Sequence, residues 1–84
     1  MPKSTNKIKI NKIKKALKET FNNEKIPRNI LNLKIGALKE WDSLGNFNFL
    51  LAIEDEFSVK FKMSEISSFK SVKEILQYLE KKSK

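Results

Sequence analysis

One stretch of this chain, residues 43–57, carries apolar side chains on two opposite sides of a single helix. With Leu44 set at 0° and about 100° added per residue, Phe49, Leu50, Ile53 and Phe57 fall between about 140° and 240°. Leu44, Phe47 and Leu51 fall between about 300° and 0°, on the far side, with Glu54 and Asp55 flanking them. A helix that is apolar all round is either central in a large protein or keeps one face for a partner. A chain of 84 residues has too little bulk to cover both faces. The Phe49 face is therefore assigned to the core and the Leu44–Phe47–Leu51 stripe to a partner. Asn46 is the exception, a polar side chain pointing to the core side near the helix start. Asp42 is the natural cap, since its carboxylate accepts first-turn N–H groups and suits the positive end of the dipole.

The remaining pattern predicts helices and no convincing strand. Ile10, Ile13, Leu17 and Phe21 lie within about 80° of one another, a narrow stripe on a helix over residues 6–22. Ser4, Thr5 and Asn6 are its candidate caps, residues 1–5 are expected to be disordered, and Lys9, Lys12 and Lys15 are placed on its surface. Pro27 forbids continuation and biases Ile26 to an extended conformation. Residues 25–41 then read as a long loop, with Ile30, Leu33, Ile35 and Leu38 expected to pack over the core. Residues 63–68 read as one helical turn. Ser71 and Glu74 fit a capping box ahead of a last helix bearing Val72, Ile75, Leu76 and Leu79 on one face, with Lys81, Lys82 and Lys84 at its negative end. The 58–62 segment alternates but is too short to be a strand. The expected fold is all-α, one domain over residues 1–84.

Composition excludes much. With no Cys and no His there is no thiol nucleophile or imidazole catalysis, no disulfide framework, no thiolate zinc site and no imidazole metal ligand. Two glycines cannot build a phosphate-cradling loop. No run is apolar enough for a signal peptide or a membrane span, so a cytoplasmic monomer is expected. The net charge of +8 invites a nucleic-acid reading. The charge is uneven, however: residues 1–39 hold ten Lys and one Arg against Glu19 and Glu24. Residues 40–59 contain no Lys or Arg and carry Glu40, Asp42, Glu54, Asp55 and Glu56. Phe21 is the one aromatic in residues 1–39, and Arg28 the one arginine, so stacking platforms and base-edge readers are scarce. A membrane-surface role for the basic first helix is weakened by its narrow apolar stripe. Neither nucleic acid nor membrane is expected as a partner, and a small basic nucleic-acid-binding domain stands as the remote alternative.

Ser43 is the one chemical handle. It lies in the first turn of the two-faced helix, just after an acidic cap, with no base beside it in sequence. That makes it a poor nucleophile but a good acceptor for a group placed by another enzyme, because a helix N-terminus stabilises an attached phosphate. Without further signal it reads as a surface or capping serine.

Further signal comes from the string Glu40-Trp41-Asp42-Ser43-Leu44-Gly45, followed by Leu50-Leu51-Ala52-Ile53-Glu54-Asp55-Glu56-Phe57. This resembles the acyl carrier protein family, with Asp-Ser-Leu opening an amphipathic helix that ends in a Leu-Glu-x-Glu-Phe-like segment. The likeness continues through Val59, Phe61, Glu65, Phe69, Ser71, Val72, Ile75, Tyr78 and Leu79, and is best over residues 40–80. It implies a four-helix bundle with a short third helix and a long loop between helices one and two. It implies 4′-phosphopantetheine on Ser43, moved from coenzyme A by a phosphopantetheinyl transferase, with acyl cargo held as a thioester. The chain would then be a carrier and not an enzyme, served by an acyl- or aminoacyl-loading ligase and by acyl-processing enzymes. By the same resemblance Asp42 faces the transferase, Leu44, Phe47 and Leu51 are recognition positions, and Glu54 and Asp55 meet basic patches on partners. Phe49, Leu50, Ile53, Phe57 and Phe61 line the core or a cavity for cargo. Fatty-acid carriers have acids soon after the serine, where this chain has Gly45 and Asn48, and they are acidic overall. Trp41 and Gly45 look more like carriers of specialised pathways, with an aminoacyl or peptidyl carrier as the alternative. No metal ligand set is expected.

Overall fold

The described residues form four helices: α1 (Pro2–Thr20), α2 (Ser43–Phe57), α3 (Met63–Ser68) and α4 (Val72–Lys82). The computed structural model describes residues 2–82, and side chains over 7–81. Lys84, expected among the cations closing α4, lies outside the described residues, as does Met1. The domain is all-α, with a short third helix and a long loop between α1 and α2. No helix among the described residues is long and apolar enough to cross a membrane.

α1 starts four residues ahead of the expected Asn6, so residues 2–5 are helical where disorder is expected. Ser4, Thr5 and Asn6 lie inside the helix and do not cap it. Pro2 can open a helix because the N–H it lacks is one the first turn leaves unpaired anyway. Ile13, Ala16, Leu17 and Phe21 are buried from this side. Lys9 is buried too, at 8 % exposure, against the expectation of a surface position. It lies about 40° from Ile13 on the helix, on the same face, where a lysine stem covers apolar surface.

α2 has the predicted bounds. Asp42 Oδ1 accepts the Gly45 N–H at 2.9 Å. Ser58 ends the helix in the left-handed region at φ 54°, its N–H donating to the Glu54 carbonyl. Phe49, Leu50 and Ile53 are fully buried, whereas Phe57, at the helix end, is half-buried. α4 contributes Val72, Ile75, Leu76 and Leu79. Each such side chain taken from water contributes about 1.5–3 kcal/mol. The Ser71 hydroxyl accepts the Glu74 N–H at 3.2 Å, while the Glu74 carboxylate reaches back to the Lys70 N–H at 2.8 Å.

The long loop is packed, as its aliphatics require. Ile30 and Leu38 are buried, and Leu33 and Ile35 pack against the core. The Ile35 N–H donates to the Lys70 carbonyl at 2.7 Å and the Val72 N–H to the Leu33 carbonyl at 3.0 Å, tying the loop to the start of α4. At its other end the Glu24 carboxylate accepts the backbone N–H groups of Lys39 (2.8 Å) and Glu40.

Asn46 is buried because it has two partners. Trp41 Nε1 donates to Asn46 Oδ1 at 2.9 Å, and Asn46 Nδ2 donates to the Phe69 carbonyl at 2.8 Å. Trp41 stacks with Phe21 and Phe49 at centroid distances of 5.7 and 5.3 Å. Phe69 belongs to a second trio with Phe61 and Tyr78, at 5.8 and 5.1 Å. Replacing Asn46 by Leu leaves a buried N–H and a part-buried carbonyl without partners, each costing about 1–3 kcal/mol. Asn46→Leu is expected to lower stability in urea, followed by circular dichroism, by about 3 kcal/mol; a change under about 1 kcal/mol would remove Asn46 from this role.

Candidate functional site

Ser43 is the first residue of α2 and is exposed. Its hydroxyl makes no side-chain hydrogen bond among the described residues. Asp42 is held in place by the Gly45 N–H, and the Asp42 carbonyl accepts the Asn46 N–H at 2.7 Å, the first bond of the helix. The N–H groups of Ser43 and Leu44 precede that bond and stand at the positive end of α2.

Cavities lie on both sides of this corner. One, of about 380 Å³, is an open groove lined by Ser43, Asn46 and Phe47 of α2, by Ile35 of the loop, and by Met63, Ile66, Ser67 and Lys70 in and after α3. The other, of about 310 Å³, is lined by Asp42, Leu44, Gly45 and Asn48 together with Phe21 and Glu40. Asp42 therefore lines the second cavity, and Ser43 the first.

Leu44, Phe47 and Leu51 stand exposed at 70 %, 36 % and 40 %, so the outer stripe read from the sequence remains uncovered. Met63, at 74 %, adds a fourth apolar side chain across the groove from Phe47. Sequence reasoning does not pair Met63 with this stripe, because α3 reaches α2 only through the tertiary fold. Asp55 is exposed. Glu54 is half-buried, and its carboxylate accepts the Phe61 N–H at 2.7 Å, holding the segment between α2 and α3. Glu56 pairs with Lys15 at 3.6 Å, an ion pair of little energetic weight because the lysine is exposed.

Gly45 occupies a position with no space for a side chain. A Cβ there would collide with the Glu40 carbonyl oxygen and meet the Phe21 ring at 3.0 Å. The glycine is thus demanded by the close approach of the segment before α2, which Glu24 holds from the other side. The same crowding leaves no room for an acidic residue at that position.

Among the described residues no group of three or more acidic side chains gathers to hold a metal. A phosphate ester on Ser43 fits the site: the hydroxyl is exposed, first-turn N–H groups adjoin it, and an open groove runs from it between α2 and α3. No family model, curated protein or solved structure matches this chain. Gly45→Ala is expected to lower stability by about 2 kcal/mol through overpacking, read by urea unfolding; an unchanged midpoint would show that the Glu40 segment is not fixed against α2.

Proposed function

We propose that this chain is an acyl carrier protein bearing 4′-phosphopantetheine on Ser43. The observation that carries the reading is an exposed serine opening a helix whose uncovered apolar row, Leu44, Phe47 and Leu51, leads away from it. Neither feature serves the fold. The core face of α2 is complete without the outer row, and the cap is supplied by Asp42. The resemblance of residues 40–80 to the carrier family supports the same reading.

The Ser43 Oγ attacks the coenzyme A pyrophosphate at the phosphorus that bears the pantetheine; the new Oγ–P bond replaces the phosphoanhydride bond, and adenosine 3′,5′-bisphosphate leaves. Among the described residues no base is bonded to Ser43, so the transferase takes the hydroxyl proton. The helix N-terminus stabilises the resulting phosphodiester charge. Asp42, held by the Gly45 N–H, keeps its charge on the other side of the corner and out of the groove. Once bound, the group supplies the thiol that this Cys-free chain lacks, for carrying acyl cargo as a thioester. Leu44, Phe47, Leu51 and Met63 give a partner apolar surface to cover, and Asp42 and Asp55 offer carboxylates to its basic rim. Residues 40–59 add no Lys or Arg to that face, whose nearest cations are Lys70 at the groove and Lys39 at the second cavity. The departures at Gly45 and Asn48 favour a carrier of a specialised pathway over a housekeeping fatty-acid carrier.

Coexpression with a phosphopantetheinyl transferase is expected to raise the intact mass by one phosphopantetheinyl group, and Ser43→Ala to abolish the increase. An unchanged mass with several active transferases would overturn the reading. Leu51→Glu is expected to slow loading at least tenfold, the size of effect that follows truncation of a central apolar anchor, while circular dichroism stays helical. Full loading by the variant would show that the outer stripe is not a recognition surface.

A further inference from the structure

The lysines of α1 sort into rows with different surroundings. Lys12 lies over the Phe57 ring, 5.4 Å from its centroid, and Lys15 pairs with Glu56, so this row is turned toward α2. Lys7, Lys14 and Lys18 recur at i, i+7 and i+11 and lie within about 40° of one another on the helix. Lys14 Nζ donates to the Arg28 carbonyl at 3.1 Å, which sets the exposed Arg28 beside that row. Among the described residues no acid pairs with these cations, and the ion pair present is Lys15–Glu56. Glu24 is bonded to the N–H groups of Lys39 and Glu40, and Glu19 lies about 100° further round the helix.

We propose that Lys7, Lys14, Lys18 and Arg28 form a docking surface for a protein face that carries a row of carboxylates, such as the acidic side of a helix. The surface is separate from the Ser43 site and does not depend on its reading. Its length is about 16 Å, eleven residues at the helical rise, which matches three turns of a facing helix. It offers nothing to bases: Phe21 is buried, and Arg28 is the one guanidinium. On a body measuring 35 × 29 × 19 Å, a long polyanion would find this row's cations over only about 16 Å, a length that a short carboxylate row matches.

The test is a titration of the isotopically labelled full chain, followed by amide shifts at low salt. Three probes are used: a helical peptide with Glu at i, i+7 and i+11, the same composition with Glu scattered round the helix, and a DNA duplex of similar length. The row peptide is expected to shift residues 7–18 and to bind more tightly than the scattered peptide. The double variant Lys7→Gln/Lys18→Gln should weaken it about fivefold, as removal of two exposed charges at the interface implies. Lys12→Gln/Lys15→Gln removes the same charge from the other row and should weaken it less than about twofold. Lys and Gln have similar helix propensity, so both variants are expected to fold, as circular dichroism checks. Equal weakening in the two variants, equal binding of the two peptides, or tighter binding of the duplex would each overturn the proposal.

Discussion

The side-chain amide of Asn46 is the joint of this small fold. Trp Nε1 can only donate and a backbone carbonyl can only accept, so the two ends of the amide have fixed assignments. One end holds Trp41, and through it the ring stack with Phe21 and Phe49. The other holds the Phe69 carbonyl, and through that residue the trio with Phe61 and Tyr78. The loop before α2 and the segment after α3 therefore meet on one α2 side chain. Apolar packing alone tolerates sliding, whereas a buried hydrogen bond fails within a fraction of an ångström. In a chain with so few layers, that directionality fixes how α3 and the long loop sit around α2.

Carboxylates extend the same logic to the surface. Glu24, Asp42, Glu54, Glu65 and Glu74 each accept from a backbone N–H that no helix would satisfy. Half of the ten acids of the chain are thus used to close loops and helix ends. They are occupied locally, while Lys7 and Lys18 of α1 are exposed and no acid among the described residues pairs with them.

Legibility in the sequence follows the range of the interaction. α2 is readable because its apolar period and its Asp42 cap lie within the helix or beside it. The 63–68 turn and the Ser71 cap are readable for the same reason. The outer stripe is readable from wheel angle combined with chain length, a constraint on total bulk. Trp41 and Met63 are not, because their surroundings come from elements distant in sequence, and Lys9 is missed because its charge argues for the surface although its wheel angle is close to that of Ile13. Asn46 shows the boundary most clearly: periodicity marks it as a misfit on the core face, but the partners that resolve the misfit lie five residues before it and 23 after it. The start of α1 escapes a local reading because three capping residues in succession, Ser4 to Asn6, outweigh Pro2.

The chain has one tryptophan, and it stands two residues before Ser43 with its indole N–H bonded and its ring enclosed. Indole emission depends on polarity and hydrogen bonding around the ring. The corner of the molecule that bears the exposed hydroxyl is therefore optically marked by its own sequence. Loosening of the segment that presents Ser43 would be seen as a change in intrinsic fluorescence, without a label and without interference from a second emitter of the same kind.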